Sequence, residues 1–282
     1  MEESVKEQGP ANLPSFQAQL EINKKRAVEN LFPETEVLAQ IGHSIIGKWE
    51  DWLPSKAAQK VNDKGFWPDG RRKFERTAEY LENSRAFFDQ ESAIMGGGLL
   101  AVEAAAYFYK TMRERGTPIK AVVISGGRPG YLSNVPEGVN EASAIQKAFN
   151  ERINYNLENA EDQVIDTTGK NTKDDMRVLL QETHNRDLKN LTLVACEIRL
   201  PHCQAFLKEI LEENLGFSQI NVNFVPAEML VAHEAELKGR SRAWQNFETQ
   251  FKGSKPYKRT LGDEQAGYNA ALQKRYQGKG QT

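Results

Sequence analysis

The chain reads as an α/β protein, a parallel sheet wound with helices on both faces, and three observations predict it. Lys120 to Gly130, KAVVISGGRPG, is a β-branched apolar run that breaks into Ser-Gly-Gly, as a buried strand does where it opens into a ligand-sized loop. Ser92 to Gly98, SAIMGGG, repeats the pattern more weakly and runs into a helical periodicity over Leu99 to Arg115. From about residue 91 short apolar runs alternate with amphipathic stretches, the rhythm of strands joined by crossover helices.

Residues 1–90 are rich in helix formers. Val37, Ile41, Ile45, Trp49 and Trp52 recur at spacings of three or four, and Phe74, Ala78, Leu81 and Phe88 form a second stripe. Two amphipathic helices are therefore expected on either side of the Pro-Asp-Gly turn in KGFWPDGRR, residues 64–72. Trp49, Trp52 and Trp67 are read as the core of this helical packaging rather than the floor of a pocket.

Strands are expected near 92–96, 120–125, 162–167, 190–196 and 220–225, with helices near 99–115, 140–153, 172–184, 201–214 and 228–237. Connections are short except for residues 126–139, GGRPGYLSNVPEGV. A long irregular loop at a strand's C-terminal end is usually functional, so this one is the first candidate for a lid over substrate. Beyond 238, Trp244, Phe247 and Phe251 at helical spacing pack a last helix, KGSKPYKR (252–259) reads as solvated surface in preference to an anion site, and the polar end frays. The expected organisation is a helical extension over 1–90, an α/β domain over 91–237, and a C-terminal helix with a polar tail over 238–282.

Composition narrows the function. Of 282 residues, 37 are Lys or Arg and 39 are Asp or Glu, a formal charge of −2 that supplies no general field for nucleic acid. No apolar leader opens the chain and no run approaches the length of a membrane span, so a cytoplasmic protein without membrane attachment is expected. Cys196 and Cys203, with six residues between them, form neither a CxxC pair nor a zinc-ligand set. The absence of G-x-S-x-G, Walker A and H-E-x-x-H patterns argues against serine hydrolase, P-loop NTPase and zincin chemistry. GGGLLA lacks the full dinucleotide-binding spacing, and no cofactor is specified.

Polar residues follow each apolar run in turn. Ser125, Gly126, Gly127 and Arg128 follow the second; Asn140 and Glu141 open NEASAIQKAF; Asp166, Asn171, Thr172 and Asp175 lie in IDTTGKNTKDD; Glu197, Arg199 and His202 lie in CEIRLPHCQAF. In a parallel sheet these positions share one rim. Gly96, Gly97 and Gly98 with Ser125 to Gly127 would let backbone amides approach a ligand, and the Ser125 hydroxyl with successive N–H groups would nest an oxyanion. A plain strand-ending turn explains the same residues.

Glu141 is a candidate base or ribose contact, although the helix macrodipole favours an acid there in any case. Asn171 and Thr172 either touch the ligand or cap the next helix. Asp166, Asp174 and Asp175 suit Mg²⁺ beside a phosphate, or form a solvated face. His202, in the first turn after Pro201, stands where a general acid or an anion contact would. Arg128, Asn140 and Arg199 complete the expected ligand contacts.

Taken in order, Gly96 to Gly98, Ser125 to Gly127, Glu141 with Ala142, and Asn171 with Thr172 resemble the DUF218, or YdcF-like, family over residues 91–230. The resemblance implies a Rossmann-like three-layer fold with no single reaction attached to it. Where many members carry T-x-E-N this chain has Thr172, Lys173, Asp174 and Asp175, and the arginine expected three residues after the histidine is absent, with Arg199 standing before His202 instead. The expected function is binding of an anionic or nucleotide-like small molecule at the strand C-termini, with Glu141 and His202 as catalytic candidates for transfer or hydrolysis. The alternatives are a non-catalytic module that meets a protein partner, and a metal-dependent phosphoesterase.

Overall fold

The computed structural model describes residues 14–42, 96–117, 119–127, 141–153, 163–169, 171–253 and 255–279. Among them are five strands, β1 (Val37–Ile41), β2 (Ala121–Ser125), β3 (Gln163–Asp166), β4 (Asn190–Ala195) and β5 (Asn221–Pro226). All pair in parallel, in the order β3-β2-β1-β4-β5. The helices are α1 (Phe16–Glu29), α2 (Gly96–Glu114), α3 (Glu141–Ile153), α4 (Thr172–Asn185), α5 (Leu200–Glu213), α6 (Ala227–Leu237), α7 (Ser241–Gly253) and α8 (Lys255–Lys279). The expected three-layer α/β fold is therefore present.

Side-chain alternation sends each strand's residues to two separate cores. Leu38, Val122, Ile124 and Val194 pack beneath α2, α3 and α6, together with Trp244, Phe247 and Phe251 of α7. Val37, Ala39, Ile41, Val123, Leu191 and Leu193 meet Met176, Leu179 and Leu180 of α4 and Leu200 and Cys203 of α5. Outside α5, Phe16 and Leu20 of α1 close against Tyr268 and Ala271 of α8.

The centre of the sheet lies where the sequence suggested helix. Val37 and Ile41, read as the start of a helical stripe, belong to β1, whose five residues are all buried between β2 and β4. A strand buried on both faces shows no alternation, and VLAQI is short enough to satisfy a spacing of four by coincidence. The strand expected at 92–96 is not the sheet's first: Gly96 begins α2, and residues 92–95 lie outside the described residues, as do Ile45, the Trp49, Trp52 and Trp67 trio, the 74–88 stripe and the turn at 64–72.

Below β1, Glu36 joins its two neighbours. Its carboxylate takes Lys120 Nζ at 2.6 Å and the amides of Lys189 and Asn190 at 2.8 and 3.2 Å, and these donors hold it below the usual carboxylate range. Above β1, the chain passes from β3 on one side of the sheet to β4 on the other through α4. This reversal opens the crevice between the C-terminal ends of β1 and β4.

If β1 is the sheet's keystone, truncating it must be felt globally. Leu38→Ala, at a site with 0% exposure, should cost about 3 kcal/mol in denaturant unfolding, whereas Leu215→Ala, at 77% exposure, should stay within about 0.5 kcal/mol of the parent.

Candidate functional site

The strand ends at the crevice approach one another more closely than side chains allow. Gly42, just past β1, donates its amide to the Ser125 carbonyl at 2.7 Å, and Gly126 donates to the Asp166 carbonyl at 3.0 Å. A methyl at Gly42 would stand 2.1 Å from Glu141 Oε2, and one at Gly127 would stand 2.0 Å from the Gly169 carbonyl oxygen. These glycines are required by contacts within the protein, and the Gly126 amide extends the sheet.

Ser125 is fully buried, and its hydroxyl lies 3.0 Å from Asp166 Oδ2 and 2.9 Å from Asp175 Oδ1. One hydroxyl proton cannot serve two acceptors at once, so a proton on one of the carboxyls would complete the chain. Asp175 is suited to carry it. Burial raises its carboxyl to about 6, against the pull of Ser125 and Arg199. Asp166 also accepts from the Thr168 hydroxyl at 2.7 Å and the Gly169 amide at 3.2 Å, which fixes the loop after β3.

Glu141 opens α3 beside Gly42, where burial raises its carboxyl to about 7; Arg199 works against that rise and Asp175 adds to it. Two carboxyls near neutrality from different strand ends therefore face one buried guanidinium. Arg199 donates from Nη2 to Thr172 Oγ1 at 3.2 Å, and its Nη1 lies 3.6 Å from Glu264 Oε1 of α8. The other Glu264 oxygen meets His202 Nδ1 at 2.8 Å, while the His202 ring rests on Phe206 and beneath Gly267. Hydrogen bonds thus join Asp166, Ser125 and Asp175 in one group, and hydrogen bonds with an ion pair join Thr172, Arg199, Glu264 and His202 in another, with the Arg199 charge acting on Asp175 between them.

A second knot gathers on Glu197, at the end of β4. Its side chain takes Lys252 Nζ of α7 at 2.9 Å and the Tyr257 hydroxyl of α8 at 3.2 Å, with Lys24 Nζ of α1 at 3.7 Å. Its amide donates to Glu228 Oε2 at 2.8 Å. Burial and the neighbouring Glu197 hold the Glu228 carboxyl well above its ordinary range. Lys252 and Tyr257, expected in a solvated segment, are drawn inward by this carboxylate.

The expected site residues are thus largely brought together. Ser125, Gly126, Gly127, Glu141, Thr172 and Arg199 share the rim, and His202 joins them through Glu264. Asn171 caps α4: its Oδ1 accepts the Asp174 amide at 3.0 Å and its Nδ2 donates back to Asp174 Oδ2. Gly96, Gly97 and Gly98 form the first turn of α2, held toward the end of β1 by Gln40 Nε2 on the Ala101 carbonyl at 2.8 Å. Arg128, Asn140 and most of the candidate lid lie outside the described residues.

Gly42, Glu264 and Glu228 went unread in the sequence, since each meets its partners from a distant segment. Cys196 and Cys203 are buried, and burial raises the Cys203 thiol to about 12, which keeps it unreactive. Among the described residues no three His, Cys, Asp or Glu side chains are grouped as metal ligands, and no helix is long and apolar enough to cross a membrane.

The architecture is that of a doubly wound α/β protein with its candidate site at the switch point. Compared with protein-family models, curated proteins and solved structures, the chain finds no match.

Two expectations follow from these contacts. Glu141 and Asp175 carry folded-state pKa values above their unfolded ones, so their contribution to stability is complete below about pH 4 and is lost as pH rises through 6 to 7. Melting temperature should fall across that window, and Glu141→Gln should flatten the fall. Glu264→Ala strips a buried guanidinium of one counter-charge, each side chain being 10% exposed, and should cost about 3 kcal/mol in denaturant unfolding.

Proposed function

We propose that this chain binds a nucleotide-like or phosphorylated small molecule in the crevice at the C-terminal ends of β1, β2 and β4. The observation that carries the reading is Glu141: a carboxyl at the start of α3, raised to about 7, feeling both Arg199 and Asp175. A group with that value exchanges a proton readily at physiological pH, and such groups cluster where chemistry is done. The reading is also supported by the position of Arg199, the cation that would answer an anionic group on the ligand.

In this reading Glu141 moves a proton or holds a ligand hydroxyl, Arg199 faces the anionic group, and Asp175 with Ser125 buffers the proton. His202 serves as a further proton carrier oriented by Glu264. The reaction class is transfer or hydrolysis at the anionic group, in a cytoplasmic protein. The resemblance of the Ser125, Glu141 and Thr172 motifs to YdcF-like proteins belongs to the same proposal.

A thermal-shift screen of nucleotides, S-adenosylmethionine and sugar phosphates tests it. At least one class should raise the melting temperature by several degrees at millimolar concentration, a rise that mass action gives to any ligand of the native state alone. Glu141→Gln should abolish turnover of that class while Asn171→Ser, which keeps a cap at α4, should retain it. No stabilisation by any compound would refute the reading.

A further inference from the structure

Three helices on one face of the sheet enclose a second concavity, away from the crevice. α2, α3 and α6 lie side by side there, around a cavity of about 170 Å³. That is close to the ~150 Å³ known to hold a benzene ring, so a phosphate and the carbon bearing it would fit.

The lining is charged rather than apolar. Lys110, Arg152, Lys238 and Arg240 contribute four cations, and Glu103 and Glu234 contribute two acids. Lys238 reaches Glu234 at 2.6 Å. Gly239, with φ 67°, lets α6 end with the Arg240 amide turned back to the Ala235 carbonyl at 2.6 Å, so that Lys238 and Arg240 both border the cavity.

Arg152 is the decisive residue. Its side chain is only 9% exposed; Nε donates to Glu103, and Nη1 donates to the Ala148 carbonyl at 3.0 Å. Its Nη2 is buried with no acceptor. The macrodipole of α3 accounts for a cation in its last turn and for the bond to Ala148, but leaves Nη2 unanswered. A buried charged donor with no partner is costly and rare in folded proteins. With Glu103 bound to Arg152 and Glu234 to Lys238, the lining keeps a net positive charge at Lys110, which with the unanswered Nη2 suits an anion.

We propose that this cavity is a second binding site, for a phosphate group, with Arg152 as its floor and Lys110 and Lys238 at its mouth. Both lysines are exposed, so their removal spares the core. Isothermal titration of the full chain with inorganic phosphate, at fixed ionic strength in chloride, should show one saturable site here.

Lys110→Ala and Lys238→Ala should each weaken that site about tenfold and the double variant should remove it, with melting temperatures in chloride unchanged. Glu141→Gln, in the crevice, should leave it intact. Tighter binding of glycerol phosphate than of inorganic phosphate would identify a phosphomonoester, and the reverse would identify the free ion; either supports the site. The proposal is overturned if neither probe saturates, if the double lysine variant binds like the parent, or if Glu141→Gln alone abolishes binding.

Discussion

A strand of five residues has to be buried on every side before the rest of this molecule can assemble. β1 has β2 on one edge and β4 on the other, with a separate hydrophobic core on each face, and its flanks are clasped by Glu36 below and by Gly42 above. Because its neighbours are drawn from residues far along the chain, its ends can come close only where no side chain intervenes. The glycines at 42, 126, 127 and 169 are the consequence of that crowding. They let Glu141 close against the ends of β1 and β2, and let Asp166 and Asp175 meet on Ser125.

Crowding acids has an electrostatic result. Arg199 stands as a buried cation among Glu141, Asp175 and Glu264, and it cannot fully compensate all of them. Burial is the larger cause of the displacement of the Glu141 and Asp175 carboxyls toward neutrality; neighbouring acids add to it and Arg199 opposes it. Ser125 then links Asp175 to Asp166, so the added proton has more than one oxygen on which to reside.

Much of this was legible in the sequence, for identifiable reasons. The runs at 121–125, 190–195 and 221–226 are apolar and β-rich, and each is followed by a clear helical period, so their strands and crossovers could be read directly. Asn171 was readable as a cap because the required donor lies three residues on. β1 was hidden because a fully buried strand lacks alternation and VLAQI matches a helical spacing over its short length. Glu264 was hidden for a different reason: its partner His202 is 62 positions away, and nothing local to either residue records the pairing. Local signals define the elements, whereas the carboxylate chemistry arises only once distant segments are stacked.

Glu197 carries an implication of another kind. Lys24 comes from the first helix described and Lys252 and Tyr257 from the last two, yet all three converge on the same carboxylate at the exit of β4. The outermost helices are therefore tied together at one carboxylate beside the crevice. Loss of that carboxylate would therefore release contacts from both ends of the chain at once, although Lys24 lies more than 200 positions from Lys252 and Tyr257 in sequence.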